Sequence, residues 1–131
     1  MKSKLTKDQE ILVATHNKGK ASEFKQLFLD YNIKTTFSYE LGINEPEENG
    51  KSFKENSIIK AKSALKAGLT VISDDSGLCV TALNGEPGIY SARWAKKYGG
   101  WMGAMEKIYK KLIDKDVADF SAKYYCCLTM A

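Results

Sequence analysis

Four apolar residues, Ile11-Leu12-Val13-Ala14, stop at the polar stretch Thr15-His16-Asn17-Lys18-Gly19, and beyond it the apolar positions change their spacing. Ala21, Phe24, Leu27, Phe28 and Tyr31 recur at helical intervals, with Lys25, Gln26 and Asp30 on the other side. A short unbroken apolar run is what a buried strand gives, and the longer spacing is that of a helix with one buried stripe. A strand, a loop and an amphipathic helix in direct succession commit this end of the chain to layered α/β packing.

The alternation continues. Residues 34–39 form a second expected strand, and 42–50 a loop holding Pro46 and the acidic Glu45, Glu47 and Glu48. Ser52, followed three residues later by Glu55, opens a helix over 52–67 as a capping box, and Gly68 stands where a glycine commonly ends one. Strands are expected at 70–73 and 78–82, flanking Asp74-Asp75-Ser76-Gly77. Residues 84–88 form a turn-rich connection, 101–113 a third helix packed through Met105, Ile108 and Leu112, and 119–130 a final strand. Residues 1–9 read as a mobile lead-in to one α/β domain over 1–131.

Length and composition narrow the function classes. A chain of 131 residues buries about two-thirds of the surface it exposes when unfolded, so it needs no staples. With 44% hydrophobic and 27% charged residues and no long apolar segment, neither a membrane span nor intrinsic disorder is expected. The opening MKSKLTKDQE carries charge without an apolar signal region, which makes the cytoplasm the expected address. The net charge of +4 comes almost wholly from lysine, with Arg93 the only arginine. Lysine acts as a point charge and arginine as the two-pronged reader of guanine, so this balance suits phosphate attraction and not duplex nucleic acid. Cys79, Cys126 and Cys127 read as reduced core residues. With a single histidine, His16, and no paired-cysteine spacing, a zinc site is not expected.

Two stretches carry chemistry. The first is Thr15 to Lys20, at the opening of the first helix, where unpaired backbone N–H groups and Lys18 and Lys20 all favour an anion. It approaches a Walker A loop but has Ala14 in place of the first glycine and Ala21 in place of the hydroxyl residue, so a P-loop enzyme is not expected. Read alone, Thr15 or Asn17 could equally be a plain helix cap. The second is the carboxylate set Glu48, Asp74 and Asp75. Magnesium takes oxygen ligands and bridges carboxylates to phosphates, and an Asp pair at a strand end with a loop Glu suits that use. Asp-Asp-Ser-Gly is equally a run of turn residues. Asn56 and Lys60, one helical turn apart, form a third candidate, in which the lysine steadies a polyphosphate. His16 can hydrogen-bond a phosphate or stand as an ordinary loop side chain.

Taken in order, ILVATHNKGKASEF, PEENGKSFKENSIIKAKSAL and ISDDSGLCVTALNGEPGIYSARWA resemble the Ham1-type inosine/xanthosine triphosphate pyrophosphatase family, continuously over residues 10–95 and more loosely to residue 128. The resemblance implies a Mg²⁺-dependent hydrolase that converts non-standard purine nucleoside triphosphates (ITP, dITP, XTP) to the monophosphate and pyrophosphate. It implies a mixed, curved central sheet flanked by helices, a cleft between two lobes and a homodimer. By motif position, Thr15, His16, Asn17, Lys18, Gly19, Lys20 and Lys60 would hold the triphosphate and Ser76 would lie beside the substrate. Glu48 and Asp75 would hold the metal, Asp75 would act as general base and Asp74 would be an auxiliary carboxylate. The family's GFGYDP-type segment and its later Lys and Ser-His-Arg motif are not found in these 131 residues, so the fold is expected in C-terminally truncated form. A catalytically weak nucleotide-binding remnant is therefore a second expectation, and a strand-exchanged dimer a third.

Overall fold

A computed structural model of the chain describes residues 8–131, so most of the lead-in expected over 1–9 lies outside the described residues. The chain divides into two compact units. The first holds the described residues up to Gly50, Lys54–Asp74 and Leu128–Ala131, and the second holds Lys51–Phe53 and Asp75–Cys127.

In the first unit, strand β1 (Glu10–Val13) alternates its side chains, sending Ile11 and Val13 to one face and Leu12 to the other, and all three are buried. Two helices make that possible. Ala21 and Phe28 of α1 (Lys18–Leu29) pack with Ile11, Val13, Phe37 and Ile72, while Ala61 and Ala64 of α2 (Phe53–Ala64) pack with Leu12, Ala14 and Val71. A strand covered on both faces reads as an unbroken apolar run, which is why Ile11 to Ala14 carries no polar residue. Burying each such Val, Leu or Ile contributes ~1.5–3 kcal/mol. Leu27 and Tyr31, expected on α1's buried stripe, are exposed, because Ala21, Phe24 and Phe28 already fill the face turned to the sheet.

β1 lies parallel to β2 (Lys34–Phe37) and to β3 (Thr70–Val80), with Ile11 opposite Thr35 and Thr70. With β4 (Ala122–Met130) the order is β2-β1-β3-β4. Val71 and Ala131 exchange both backbone hydrogen bonds, at 2.8 and 2.9 Å, and Thr81 N–H meets the Ser121 carbonyl at 3.1 Å. β4 therefore runs antiparallel to β3, and the sheet is mixed. The helix expected over 52–67 ends at Ala64 and continues as a 3-10 turn, Leu65–Ala67, capped by Gly68 in the left-handed conformation.

The two strands expected at 70–73 and 78–82 are one strand, and Asp74-Asp75-Ser76-Gly77 is not a turn. β4 alongside satisfies the backbone groups that a turn would otherwise have to satisfy locally, and this outweighs the poor strand propensity of Asp and Gly. Gly77 is needed for close approach: a Cβ there would run into the Gly88 carbonyl and stand 2.8 Å from Ser91 Oγ.

The second unit packs around Val80, Leu83 and Leu112, with Leu78, Ala82, Ile108 and Val117 partly buried against them. Its helices are α3 (Ser91–Lys97), which the residue pattern did not foretell, and α4 (Trp101–Asp114). The α4 core stripe is Ala104, Ile108 and Leu112. Met105, expected in that stripe, lies just past its Leu112 edge, about 100° round the helix from Ala104, and is 52% exposed. The cysteines depart from expectation in part: none is disulfide-bonded, but Cys126 is exposed and Cys79 and Cys127 are only partly covered. Cys126 and Cys127 lie on β4, where most side chains are exposed, so no core forms around them.

Candidate active site

The loop after β1 is held by its own side chains. Asn17 is the N-cap of α1, its Oδ1 accepting the Lys20 N–H at 3.1 Å, and Thr15 Oγ1 accepts the Asn17 N–H at 3.2 Å. Such local bonds end a strand and start a helix within a few residues. Thr15 is buried, whereas Asn17, Lys18 and Gly19 are exposed at the helix opening, where backbone donors lack intrahelical acceptors. His16 Nε2 lies 2.8 Å from the Ile43 carbonyl oxygen. A carbonyl only accepts, so Nε2 donates, and His16 ties this loop to the segment leading into the acidic one.

Lys20 joins the two ends of the candidate site. Its Nζ is 2.7 Å from Asp74 Oδ2, and the Asp74 side chain is 4% exposed against 28% for Lys20. A carboxylate so removed from water requires a cation beside it. This one bond brings the opening of α1 to the middle of β3.

A second pair lies in the same unit. Lys60 Nζ is 3.3 Å from Glu48 Oε1, linking α2 to the acidic loop. Asn56, buried in the first turns of α2, accepts the Gly50 N–H on its Oδ1 at 2.8 Å. The residue after it, Ser57, accepts a 2.6 Å hydrogen bond from Ser73 Oγ on its carbonyl, and its hydroxyl meets Thr129 Oγ1 at 2.6 Å. α2 is thereby fastened to β3 at the position just before Asp74. Asp75 is buried and Ser76 partly exposed; both begin the second unit.

The structure thus brings Lys20 to Asp74, Lys60 to Glu48, and His16 to the Ile43 carbonyl. It leaves Lys18 and Gly19 exposed at the helix opening. Within the first unit Glu48 and Asp74 supply carboxylate oxygens, the donor type a hard divalent cation takes, so the residues present fit magnesium. Among the described residues no three His, Cys, Asp or Glu side chains form a ready cage. A magnesium ion that keeps its waters and shares substrate phosphates requires only one or two carboxylates. The two lysines now on Glu48 and Asp74 are cations of the kind that a polyphosphate attracts.

Gly50, Ser57 and Ser73 were not foretold as contributors. Ser57, Ala61 and Ala64 recur at helical spacing as a buried stripe of small residues, and that pattern is the available signal that α2 approaches the sheet closely enough for backbone bonding.

A model of the Ham1 family matches residues 11–131. The chain is 47% identical over 107 residues to a dITP/XTP pyrophosphatase of Rhodopseudomonas palustris, covering 81% of this chain and 51% of that protein. It is 43% identical over 122 residues to a dITP/XTP pyrophosphatase of Zymomonas mobilis, covering 92% and 58%. Among solved structures, a HAM1 protein from Coxiella burnetii superposes with a TM-score of 0.81 at 35% identity, over 93% of this chain and 62% of that one. The chain therefore spans about half to three-fifths of the length of these relatives.

Proposed function

This chain belongs to the Ham1 family, and from that premise we propose that it hydrolyses non-standard purine nucleoside triphosphates, of the ITP, dITP and XTP class, to the monophosphate and pyrophosphate with Mg²⁺. The observation that carries the reading is the Lys20–Asp74 ion pair, which places a phosphate-attracting lysine against a buried carboxylate. The relatives named dITP/XTP pyrophosphatase support the substrate class.

In this reading the helix opening does the phosphate binding. The amides and side chains of Thr15, His16, Asn17, Lys18 and Gly19 hold the triphosphate, and Lys20 and Lys60 neutralise the charge that grows on the departing pyrophosphate. Glu48 and Asp75 would hold the metal, whose chemistry there would be charge neutralisation of the phosphate oxygens. Asp75 also takes the proton of the attacking water as its oxygen bonds to the α-phosphorus and the bond to the β-phosphate oxygen breaks. Ser76 lies beside the substrate, and Asp74 keeps Lys20 in place. The reading includes a homodimer acting in the cytoplasm. A monomer mass at every concentration in light scattering would remove the dimer from it.

The test is an assay of ITP, XTP, ATP and GTP with Mg²⁺ that separates pyrophosphate from orthophosphate, run beside Asp75→Asn. The expected result is pyrophosphate release from ITP and XTP, lowered about 10²–10⁴-fold by the substitution. Nucleotide binding without turnover would instead support a binding remnant, and orthophosphate release would overturn the reaction proposed.

A further inference from the structure

We propose that Asn56 is a positioning residue for Glu48, clamping the acidic loop to α2 so that the Glu48 carboxylate can exchange a lysine for a divalent cation without the loop moving. The inference rests on the reading of Glu48 as a cation ligand.

The Asn56 side chain is 2% exposed, and its Oδ1 accepts a hydrogen bond at 2.8 Å from Gly50, a residue outside the helix. Its acceptor is therefore used on the loop. The fit around that bond is tight: a Cβ on Gly50 would stand 2.6 Å from Asn56 Oδ1 and 2.8 Å from Glu55 Cβ. The loop backbone can occupy this place only as glycine.

Glu48 lies two residues before Gly50, and Lys60 lies one helical turn beyond Asn56 on the same side of α2. Lys60 reaches Glu48 at 3.3 Å. One helix therefore grips one loop twice, through an ion pair at Glu48 and through a neutral bond at Gly50. The two grips have different fates when a metal and a polyphosphate enter. Lys60 is drawn to phosphate and releases Glu48, whereas the bond from Gly50 to Asn56 involves no charge and has no reason to break. Asn56 then keeps Glu48 within reach of the cation. α2 provides a firm base for this, since Ser73 Oγ holds the Ser57 carbonyl at 2.6 Å within the buried part of the unit. Groups that orient a metal ligand typically change metal affinity ten- to a hundredfold when lost.

The test uses the 131-residue chain, with free Mn²⁺ measured by electron paramagnetic resonance as the probe. Asn56→Ala is expected to weaken Mn²⁺ binding about tenfold or more, and Gly50→Ala similarly. The double variant should be no weaker than the worse single one, because both break the same contact. Asn56→Asp keeps an acceptor oxygen in place and should recover much of the affinity lost in Asn56→Ala, a recovery that a merely space-filling role would not produce. Circular dichroism melts accompany each variant, and if Asn56→Ala does not fold, the comparison of Gly50→Ala with the parent chain decides.

Unchanged Mn²⁺ affinity in folded Asn56→Ala or Gly50→Ala, additive losses in the double variant, or a parent chain that binds no Mn²⁺ would each overturn the inference. The pyrophosphate assay is scored separately. Cleavage of ITP with Mn²⁺ binding indifferent to Asn56 removes the inference alone, and Asn56-dependent Mn²⁺ binding without cleavage removes the hydrolytic reading alone.

Discussion

Helices α2 and α4 are of similar length and bury opposite kinds of residue. α2 turns Asn56, Ser57, Ala61 and Ala64 inward, two of them polar, and none of the four is large. α4 buries Ala104 and Leu112 and leaves Trp101, Met102, Met105, Tyr109 and Ile113 exposed. The difference lies in what each helix is asked to hold. Small residues bring α2 close enough to β3 for direct hydrogen bonds, so it can fix side chains relative to a strand. α4 buries only apolar residues, its charged contacts such as Lys111 with Glu86 lie at the surface, and its surplus apolar residues stay exposed. The same contrast separates their units. Asp74 of the first unit is buried and paired with Lys20, whereas several cations of the second unit lie over aromatic rings, as Lys111 does over Trp94 and Lys107 over Tyr98.

The largest effect is expected where a charge would be stranded. Lys20→Ala leaves Asp74 buried without its cation and should lower stability by about 3 kcal/mol, the low end for a broken buried pair because Lys20 is partly exposed. Lys111→Ala, which loses a 3.5 Å surface pair with Glu86, should change stability by under about 1 kcal/mol. Urea melts of the two variants check the contrast, and equal losses would erase it.

Packing gives the next effect. Ala64→Leu forces a larger side chain under α2, where Ala64 is fully buried, and should destabilise by about 1–3 kcal/mol. Met105→Ala on α4 should stay within about 0.5 kcal/mol, since that side chain is already in solvent. Thermal melting of the pair would sharpen the comparison, and a large loss in Met105→Ala would show that α4 has a partner in solution.

A smaller effect comes from pH. The Thr36 hydroxyl, donating to the Glu10 carboxylate, holds that group below its ordinary value of 4.5, with the Lys34 charge adding to it and partial desolvation opposing. A depressed carboxylate contributes stability above its unfolded value and loses it as pH falls through the folded one. Thr36→Val should therefore flatten the acid side of the stability profile below about pH 5. An unchanged profile would assign acid sensitivity elsewhere.

The smallest effect leaves stability untouched. Burial pushes the Cys79 thiol up from its usual range, and Cys126 is exposed on β4. Iodoacetamide at neutral pH should label Cys126 well before Cys79, as peptide mass spectrometry can read. Faster labelling of Cys79 would mean that the second unit opens readily.

Legibility followed the range of the interactions. Asn17 as a cap and Gly68 at the end of α2 were readable because each acts on residues within one helical turn. The apolar run at Ile11 was readable because its period is local. The unbroken β3 was not: Asp74, Asp75, Ser76 and Gly77 are turn formers by themselves, and only β4, pairing Val71 with Ala131 and Thr81 with Ser121, holds them extended. Lys20 and Asp74 were each suspected of chemistry, but nothing in their spacing announced that they touch.

By itself the sequence determined most of the strands and helices, though not α3 or the continuity of β3, together with the Asn17 cap of α1, the stop at Gly68, and a family resemblance strong enough to name the chemistry to look for. Tertiary structure alone decided that Asp74 answers Lys20 and Glu48 answers Lys60, that Met105 faces water, and that Asn56 serves the loop at Gly50. The physical reason is distance along the chain. Torsions, caps and periodicity are set by neighbours a few residues away, whereas a buried charge or amide is stable only if a remote segment arrives to meet it.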